Sequence, residues 1–376
     1  MENLEGVLVN GSSPKITVPL LNGICPYFTM FPLDFPQAIL KEAKRGDLVL
    51  DPFCGRGTTN FAARQYGLES VGVDASPVAV AITESKLVRV DPDEIIAEAR
   101  HILSGDNDPA LPQGEFWNWA YESSTLRDIC KIRKALLEDC GSSVRKALRG
   151  IMLGALHGPI QKKTVSYFSN QCPRTYAPKP RYAVGYWQER SMLPPAVDVL
   201  GVISRRGVRY FNLSLEGMGI ARVGDSQNIS SLVSPVHDKK FSWIVTSPPY
   251  YGMKTYIPDQ WLRNWFVGGS DVVQYEHPDQ LKHGSPDQFS EGLNTVWKNV
   301  ANVSDNDAQL VIRFGGISDR KASPIEIIKQ SLAGSGWYID EIRDAGVASL
   351  GKRQADHFLK SKSNPVVELD VWAYKR

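Results

Sequence analysis

The stretch that most limits the fold runs from Asp47 to Asp74. Asp47-Leu48-Val49-Leu50 is a brief apolar strand. Asp51-Pro52-Phe53-Cys54-Gly55-Arg56-Gly57-Thr58-Thr59 follows as a glycine-containing turn, and Asn60 to Tyr66 reads as a helix. Ser70-Val71-Gly72-Val73 is the next strand, and it ends at Asp74. Glycines in such a turn let backbone approach a ligand closely, and the helix start offers free N–H groups. An acid closing the second strand of a nucleotide-binding sheet can accept ribose hydroxyls. A helix cap before Pro77 is the competing use of Asp74. Cys54 reads as a small turn filler.

A second stretch makes a different kind of loop. Phe241-Ser242-Trp243-Ile244-Val245 reads as a short buried strand, closed by Thr246-Ser247-Pro248-Pro249-Tyr250. Neither proline donates an N–H, and each biases its predecessor toward extended backbone. The product is a stiff loop at the carboxyl edge of a strand, where open α/β sheets place ligands. Carbonyl oxygens, a hydroxyl and an aromatic ring held in fixed relation suit a planar group with an exocyclic amine, such as a nucleobase. An ordinary Pro-Pro turn with a packed tyrosine is the plainer alternative.

These residues carry a resemblance. Asp47 to Thr59 with Val71-Gly72-Val73-Asp74 resembles the S-adenosylmethionine site of class I methyltransferases. Asp51-Pro52-Phe53-x-Gly55-x-Gly57-Thr58-Thr59 plus Thr246-Ser247-Pro248-Pro249-Tyr250 resembles, more narrowly, the DNA amino-methyltransferases, which modify the exocyclic nitrogen of cytosine or adenine. Tyr27-Phe28-Thr29-Met30-Phe31-Pro32 is similar to the family's segment over the methionine end of the cofactor, and Gly224-Asp225 to its acidic position near the adenine. The matches fall in the family's order. The resemblance implies S-adenosylmethionine as cofactor, held by Thr29, Phe31, Asp51, Pro52, Phe53, Gly55, Gly57, Thr58, Asp74 and Asp225. It implies catalysis by Ser247, Pro248, Pro249 and Tyr250. Serine in the first position of that loop resembles cytosine-N4 enzymes, aspartate being commoner for adenine-N6. DNA is the implied partner, with its target base flipped or single-stranded, and a restriction endonuclease is a companion the resemblance allows. An RNA base methyltransferase and a non-catalytic nucleic-acid-binding protein on the same fold are the alternatives.

Between Glu84 and about Gly219 the strand–helix rhythm breaks. Ser104 to Gly114 reads as a loop. From Ser124, Leu126, Ile129, Ile132 and Leu136 recur at helical spacing, and Val144, Leu148, Ile151 and Ala155 form a second apolar face after Gly141-Ser142-Ser143, predicting a helical hairpin. From Arg145 to Arg209 there are twelve basic residues and two acids. Such an excess attracts a polyanion, and Tyr167, Phe168, Tyr176, Tyr182, Tyr186 and Trp187 are interleaved for stacking on bases. Lys162, Lys163, Arg174, Lys179 and Arg181 are the candidate DNA contacts, and Asn170 and Gln171 candidate amide donors to base edges. Pro173, Pro178, Pro180, Pro194 and Pro195 point to a surface loop. A solvated basic face is the simpler reading. The expected organisation is a catalytic domain over 1–90 and 215–376 with an inserted basic, partly helical segment at 91–214. The family's commoner arrangements place the recognition segment elsewhere.

Downstream, Asp259 to Phe266 reads as a helix whose Trp261 and Trp265 pack on the sheet, and 267–288 as a polar segment. Glu291 to Val300 is a helix, Leu310 to Phe314 a strand, and Pro324 to Leu332 a helix with Pro in its first turn. Tyr338 to Ile342 and Val366 to Tyr374 make a closing strand pair. Together with the resemblance this is an α/β fold: a mostly parallel seven-stranded sheet of the class I methyltransferase type with one antiparallel strand and a helical insert. His277 and His283, six apart, are poorly spaced for a shared metal, and the loop at 351–357 is either solvated or a phosphate contact. Five cysteines without a C-x-x-C pair point to reduced thiols in an intracellular protein and to no zinc site. The first residues carry no basic-then-apolar leader, and no uncharged apolar run approaches membrane-spanning length.

Overall fold

The computed structural model describes residues 20–27, 31–106, 108–160, 165–173, 178–212, 215, 217–234, 239–252, 257–274, 284–316, 322–347 and 367–376. Thr29, Lys162, Lys163 and Arg174 lie outside these, as do Tyr176, His277, His283 and the 351–357 loop.

Seven strands form one sheet: β1 (Leu48–Asp51), β2 (Glu69–Asp74), β3 (Gly219–Val223), β4 (Phe241–Thr246), β5 (Ser304–Gly315), β6 (Trp337–Val347) and β7 (Val367–Lys375). Their order is β3-β2-β1-β4-β5-β7-β6. All neighbours are parallel except β7, which runs antiparallel to both β5 and β6. This is the class I methyltransferase arrangement expected from the sequence. Of the closing pair, β6 is longer than predicted and β7 is shifted by one residue.

Every residue of β1 is buried, because helices cover both faces of a parallel sheet. Alternation along the strand divides the core in two. Val49 joins the layer of α1 (Asp34–Leu40), α2 (Thr58–Gln65), α3 (Pro77–Leu87) and α10 (Ile257–Phe266). Leu48 and Leu50 join α11 (Pro286–Val303) and α12 (Pro324–Leu332) on the other side. At roughly 1.5–3 kcal/mol for each fully buried aliphatic side chain, these two layers are the main favourable term holding the sheet. Ser76, Ser285 and Ser323 cap α3, α11 and α12, each ahead of a proline in the first turn.

Between β2 and β3 the chain adds α4 (Pro92–Ser104), α5 (Glu115–Ala120), α6 (Ser123–Glu138), α7 (Ser143–Ala155), α8 (Pro180–Gln188) and α9 (Val199–Phe211). Ser142 caps α7, its hydroxyl accepting the Arg145 N–H. The predicted hairpin of α6 and α7 is replaced by a bundle: both helices lie against α4, and α7 also packs on α3 and α9. The insert shares one continuous core with α1, α2 and α3. The proline-rich stretch is less of a loop than predicted, since Pro180 opens α8, a position where its missing N–H costs nothing. Trp261 and Trp265 pack on α5 rather than on the sheet: Trp261 meets Phe116 at 4.9 Å and Trp265 meets Trp117 at 4.6 Å. No helix among the described residues is long and apolar enough to cross a membrane.

Candidate active site

The glycine turn after β1 and the Pro-Pro loop after β4 leave the sheet side by side, because β1 and β4 are neighbours with Leu50 opposite Ile244. Two side-chain bonds join them. The Thr246 hydroxyl donates to Asp51 Oδ1 at 2.6 Å, and the Thr59 hydroxyl donates to the Val245 carbonyl at 2.9 Å. Asp51 Oδ1 also accepts the Phe53 N–H at 3.1 Å, while its buried Oδ2 has no partner. Burial, outweighing these hydrogen bonds, pushes the Asp51 carboxyl up to about 7.

Asp74 ties the second loop to the first. Its Oδ2 accepts the Gly55 N–H at 2.9 Å and its Oδ1 accepts the Ser76 N–H at 2.8 Å. The cap considered for Asp74 belongs instead to the Ser76 hydroxyl, which accepts the Ala79 N–H at 3.3 Å. Burial raises the Asp74 carboxyl above its usual range, and the two N–H donors oppose that shift. Gly55 has φ +51° with open space beside its Cα, so its face is clear for a ligand. Gly57 has φ +73°, and a Cβ there would strike the Thr83 side chain, whose hydroxyl holds the Gly55 carbonyl at 3.0 Å. Cys54 is packed beneath the turn, its thiol pushed well up by burial, and it acts as the filler anticipated.

The third loop reaches the same edge. Gly224 N–H donates to the Asp74 carbonyl at 3.0 Å, and Ser226 donates to the Pro52 carbonyl at 2.6 Å. Asp225 is exposed, with Oδ1 accepting the Gln227 N–H at 2.9 Å. Phe53 meets Trp297 edge-on at 6.1 Å. Pro52 and Thr58 are buried at either end of the turn. Tyr27 faces Ser76 and Asp74; burial first, then the Asp74 carboxylate, pushes its phenol above the usual range. Phe31 packs edge-on against Phe35 at 5.3 Å.

In the Pro-Pro loop, Ser247 and Pro249 are half-buried and Pro248 is buried. The Tyr250 hydroxyl donates to Glu368 Oε1 at 2.6 Å, and its ring meets Phe314 edge-on at 5.5 Å. Glu368, on β7, is 5% exposed. A Cβ on Gly315 would come within 2.9 Å of the Tyr250 ring, so this glycine makes room for it. Thr246 and Thr59 stand inside the two sequence motifs without a role of their own there, and Glu368 was not singled out from sequence.

The insert divides the predicted nucleic-acid residues. Tyr167, Phe168 and Trp187 are buried core, and Asn170, 4% exposed, donates to the carbonyls of Trp119 and Met192. They are thus spent on packing, not on bases. Gln171 accepts the Trp187 indole N–H through its carbonyl. Much of the basic excess meets acids from outside the span: Arg145 with Glu98, Lys146 and Arg149 with Glu84, and Lys179 with Asp259. Among the described residues, Arg205 and Arg209 stay exposed on α9, and so does one face of α8 with the residues just after it. Arg181 and Tyr182 are exposed there, Tyr182 stacks on Tyr186 at 6.3 Å, and Arg190 lies over Tyr186 at 4.1 Å.

Residues 10–85 match the family described as DNA methylase. The chain is 39% identical over 83 residues to the type II methyltransferase M.MjaII of Methanocaldococcus jannaschii, covering 21% of this chain and 15% of that one. It is 41% identical over 51 residues to the type II methyltransferase M2.DpnII of Streptococcus pneumoniae, covering 14% of this chain and 19% of that one. The chain thus spans under a fifth of the length of these relatives. Among solved structures, a Methanosarcina mazei S-adenosylmethionine-dependent methyltransferase aligns over 93% of this chain and 99% of its own, with 10% identity and a TM-score of 0.35. The residues present fit S-adenosylmethionine. Asp74 and Asp225 are acceptors at successive strand ends, Gly55 leaves a clear face, and the buried Asp51 Oδ2 lacks a donor. The chain carries the signature of the DNA amino-methyltransferases, which take S-adenosylmethionine, on a class I methyltransferase fold.

Proposed function

We propose that this protein methylates the exocyclic N4 of cytosine in DNA. The observation that carries the reading is the Thr246–Asp51 bond, which holds the glycine turn and the Ser247–Tyr250 loop on one edge of the sheet. S-adenosylmethionine supplies the activated methyl group. The chain's task is to make a conjugated, weakly nucleophilic amine attack it in line. The Ser247 hydroxyl and the Pro248 carbonyl accept the two amine N–H bonds, drawing the nitrogen toward tetrahedral geometry and offsetting its developing charge. Tyr250, fixed by Glu368 and Phe314, stacks on the base once it leaves the duplex. Positioning and electrostatics supply most of the rate gain. Asp51, Gly55, Gly57, Thr58, Asp74 and Asp225 hold the cofactor, Lys179 and Arg181 contact the DNA backbone, and residues 91–214 carry target recognition.

The test supplies radiolabelled cofactor with duplex DNA, single-stranded DNA or RNA, then digests the nucleic acid and identifies the modified base by mass spectrometry. N4-methylcytosine from DNA is the expected product. N6-methyladenine would replace the base assignment, methyl uptake by RNA alone would replace the substrate, and no uptake by any of them would remove the enzyme reading.

A further inference from the structure

Four basic side chains, three of them buried, gather around the segment Asn22–Tyr27. Lys86 is 0% exposed, Arg263 3% and Arg206 9%, and Arg56 stands half-buried between the two glycines of the turn. Lys86 Nζ donates to Asn22 Oδ1 at 3.0 Å and to the Arg56 carbonyl at 2.5 Å. Arg263 donates to the carbonyls of Pro26 at 2.5 Å and Leu153 at 3.2 Å and to Gln260 Oε1 at 3.0 Å. Arg206 donates to the Ser166 carbonyl, and its Nη1 lies beside Gly154. All four lie close enough to Cys25 to act on its thiol.

Among the described residues, every hydrogen bond of these four side chains goes to a neutral oxygen, and none forms an ion pair with a carboxylate. Neutral acceptors satisfy donors without cancelling charge, so the cluster stays electrically unbalanced in a poorly solvated place. Burial lowers the basicity of Lys86, Arg56 and Arg206, as such an imbalance demands. Three buried nitrogens here also lack an acceptor: Arg56 Nε, Arg263 Nη2 and Gln260 Nε2. All three are donors. Water would answer the hydrogen bonds but leave the charge, whereas a small oxyanion answers both.

The place selects the oxyanion. Along the sheet the cofactor contacts run from Asp225 after β3, through Asp74 after β2, to the turn after β1. Arg56 lies within that last turn, and Arg263 lies against Pro26, next to Tyr27. Resting on the cofactor reading above, we propose that this cluster seats the α-carboxylate of the cofactor's methionine moiety, with Arg56 and Arg263 as its charged donors. A guanidinium suits a carboxylate by geometry as well as charge. A DNA phosphate offers similar chemistry, but a residue as enclosed as Arg263 is better reached by the narrow amino-acid end of a small molecule.

The test is calorimetric binding of two ligands to the full chain: S-adenosylhomocysteine, which carries the carboxylate, and 5′-methylthioadenosine, which lacks the amino-acid end. For Arg56→Met, S-adenosylhomocysteine affinity is expected to fall about tenfold or more while methylthioadenosine affinity holds. Arg56→Lys is expected to give a smaller loss of the same selectivity, and it carries the comparison if Arg56→Met does not fold. Equal loss for both ligands, or loss for neither, overturns the proposal. So does a variant whose only change is a shallower salt dependence of duplex DNA binding, which would assign the charge to phosphate. A wild-type chain that binds neither ligand removes the cofactor reading itself, and this proposal with it.

Discussion

Thr246 and Asp51 end neighbouring strands, are both 0% exposed, and share a 2.6 Å hydrogen bond across 195 positions of sequence. The bond places the motif after β1 and the motif after β4 in one frame. Thr246→Val keeps shape and removes the donor. It should lower stability by about 1–3 kcal/mol, because Asp51 Oδ1 keeps only the Phe53 N–H. Urea unfolding of the two proteins measures it.

Asp51 should also leave a mark on the pH dependence of stability. Burial raises its folded-state carboxyl to about 7, against roughly 3.9 in an unfolded chain. The folded protein therefore holds this proton where the unfolded chain has released it. Stability from Asp51 is present below about pH 4 and declines as pH rises toward 7. Relative to Asp51→Asn, the wild type should lose ground across that window in unfolding at successive pH values. A constant difference would mean that Asp51 ionises normally.

Ser247→Ala should bind S-adenosylhomocysteine like the wild type and lose most turnover, since in the proposed mechanism the hydroxyl serves only the amine. Methyl incorporation at the wild-type rate would remove Ser247 from the chemistry.

The two glycines of the turn differ. Both have positive φ, but a methyl group at Gly57 runs into Thr83, whereas at Gly55 it meets open space. Gly57→Ala should cost clearly more stability than Gly55→Ala, for which backbone strain of about 1–3 kcal/mol is the upper scale. Gly55→Ala should instead weaken cofactor binding. Thermal melts with and without S-adenosylhomocysteine separate the two effects.

Glu368 reaches Tyr250 from β7, 118 positions away. Glu368→Leu removes this acceptor and should lower turnover on DNA with S-adenosylhomocysteine affinity unchanged. Glu368→Gln keeps an acceptor and should recover most of the loss. Identical kinetics for both variants would separate Glu368 from the loop's function.

The sheet was legible because its strands are short apolar runs with turn residues at their ends, as at Leu48–Asp51 and Phe241–Thr246. Pro324–Leu332 announced itself through its proline and its period. What stayed hidden depends on distant partners. Nothing near Trp261 indicates that it will meet Phe116, and nothing near Arg263 that it will hold the Pro26 carbonyl 237 positions earlier. The basic span misled for a related reason: Glu84, Glu98 and Asp259, which answer several of its charges, all lie outside it.

The sequence presents residues 91–214 as an inserted, partly helical segment, yet Ile95, Ile132, Leu148 and Trp187 are continuous with the packing beneath α2 and α3. Excising 91–214 would strip apolar cover from α3 and from Trp261 and Trp265. Grafting a foreign recognition segment in its place would therefore disturb the foundation on which the methyl-donor cleft rests. On the proposed role of the insert, a change of target has to come through substitutions on its outer surface, such as the Tyr182–Arg190 face, and not through exchange of the whole module.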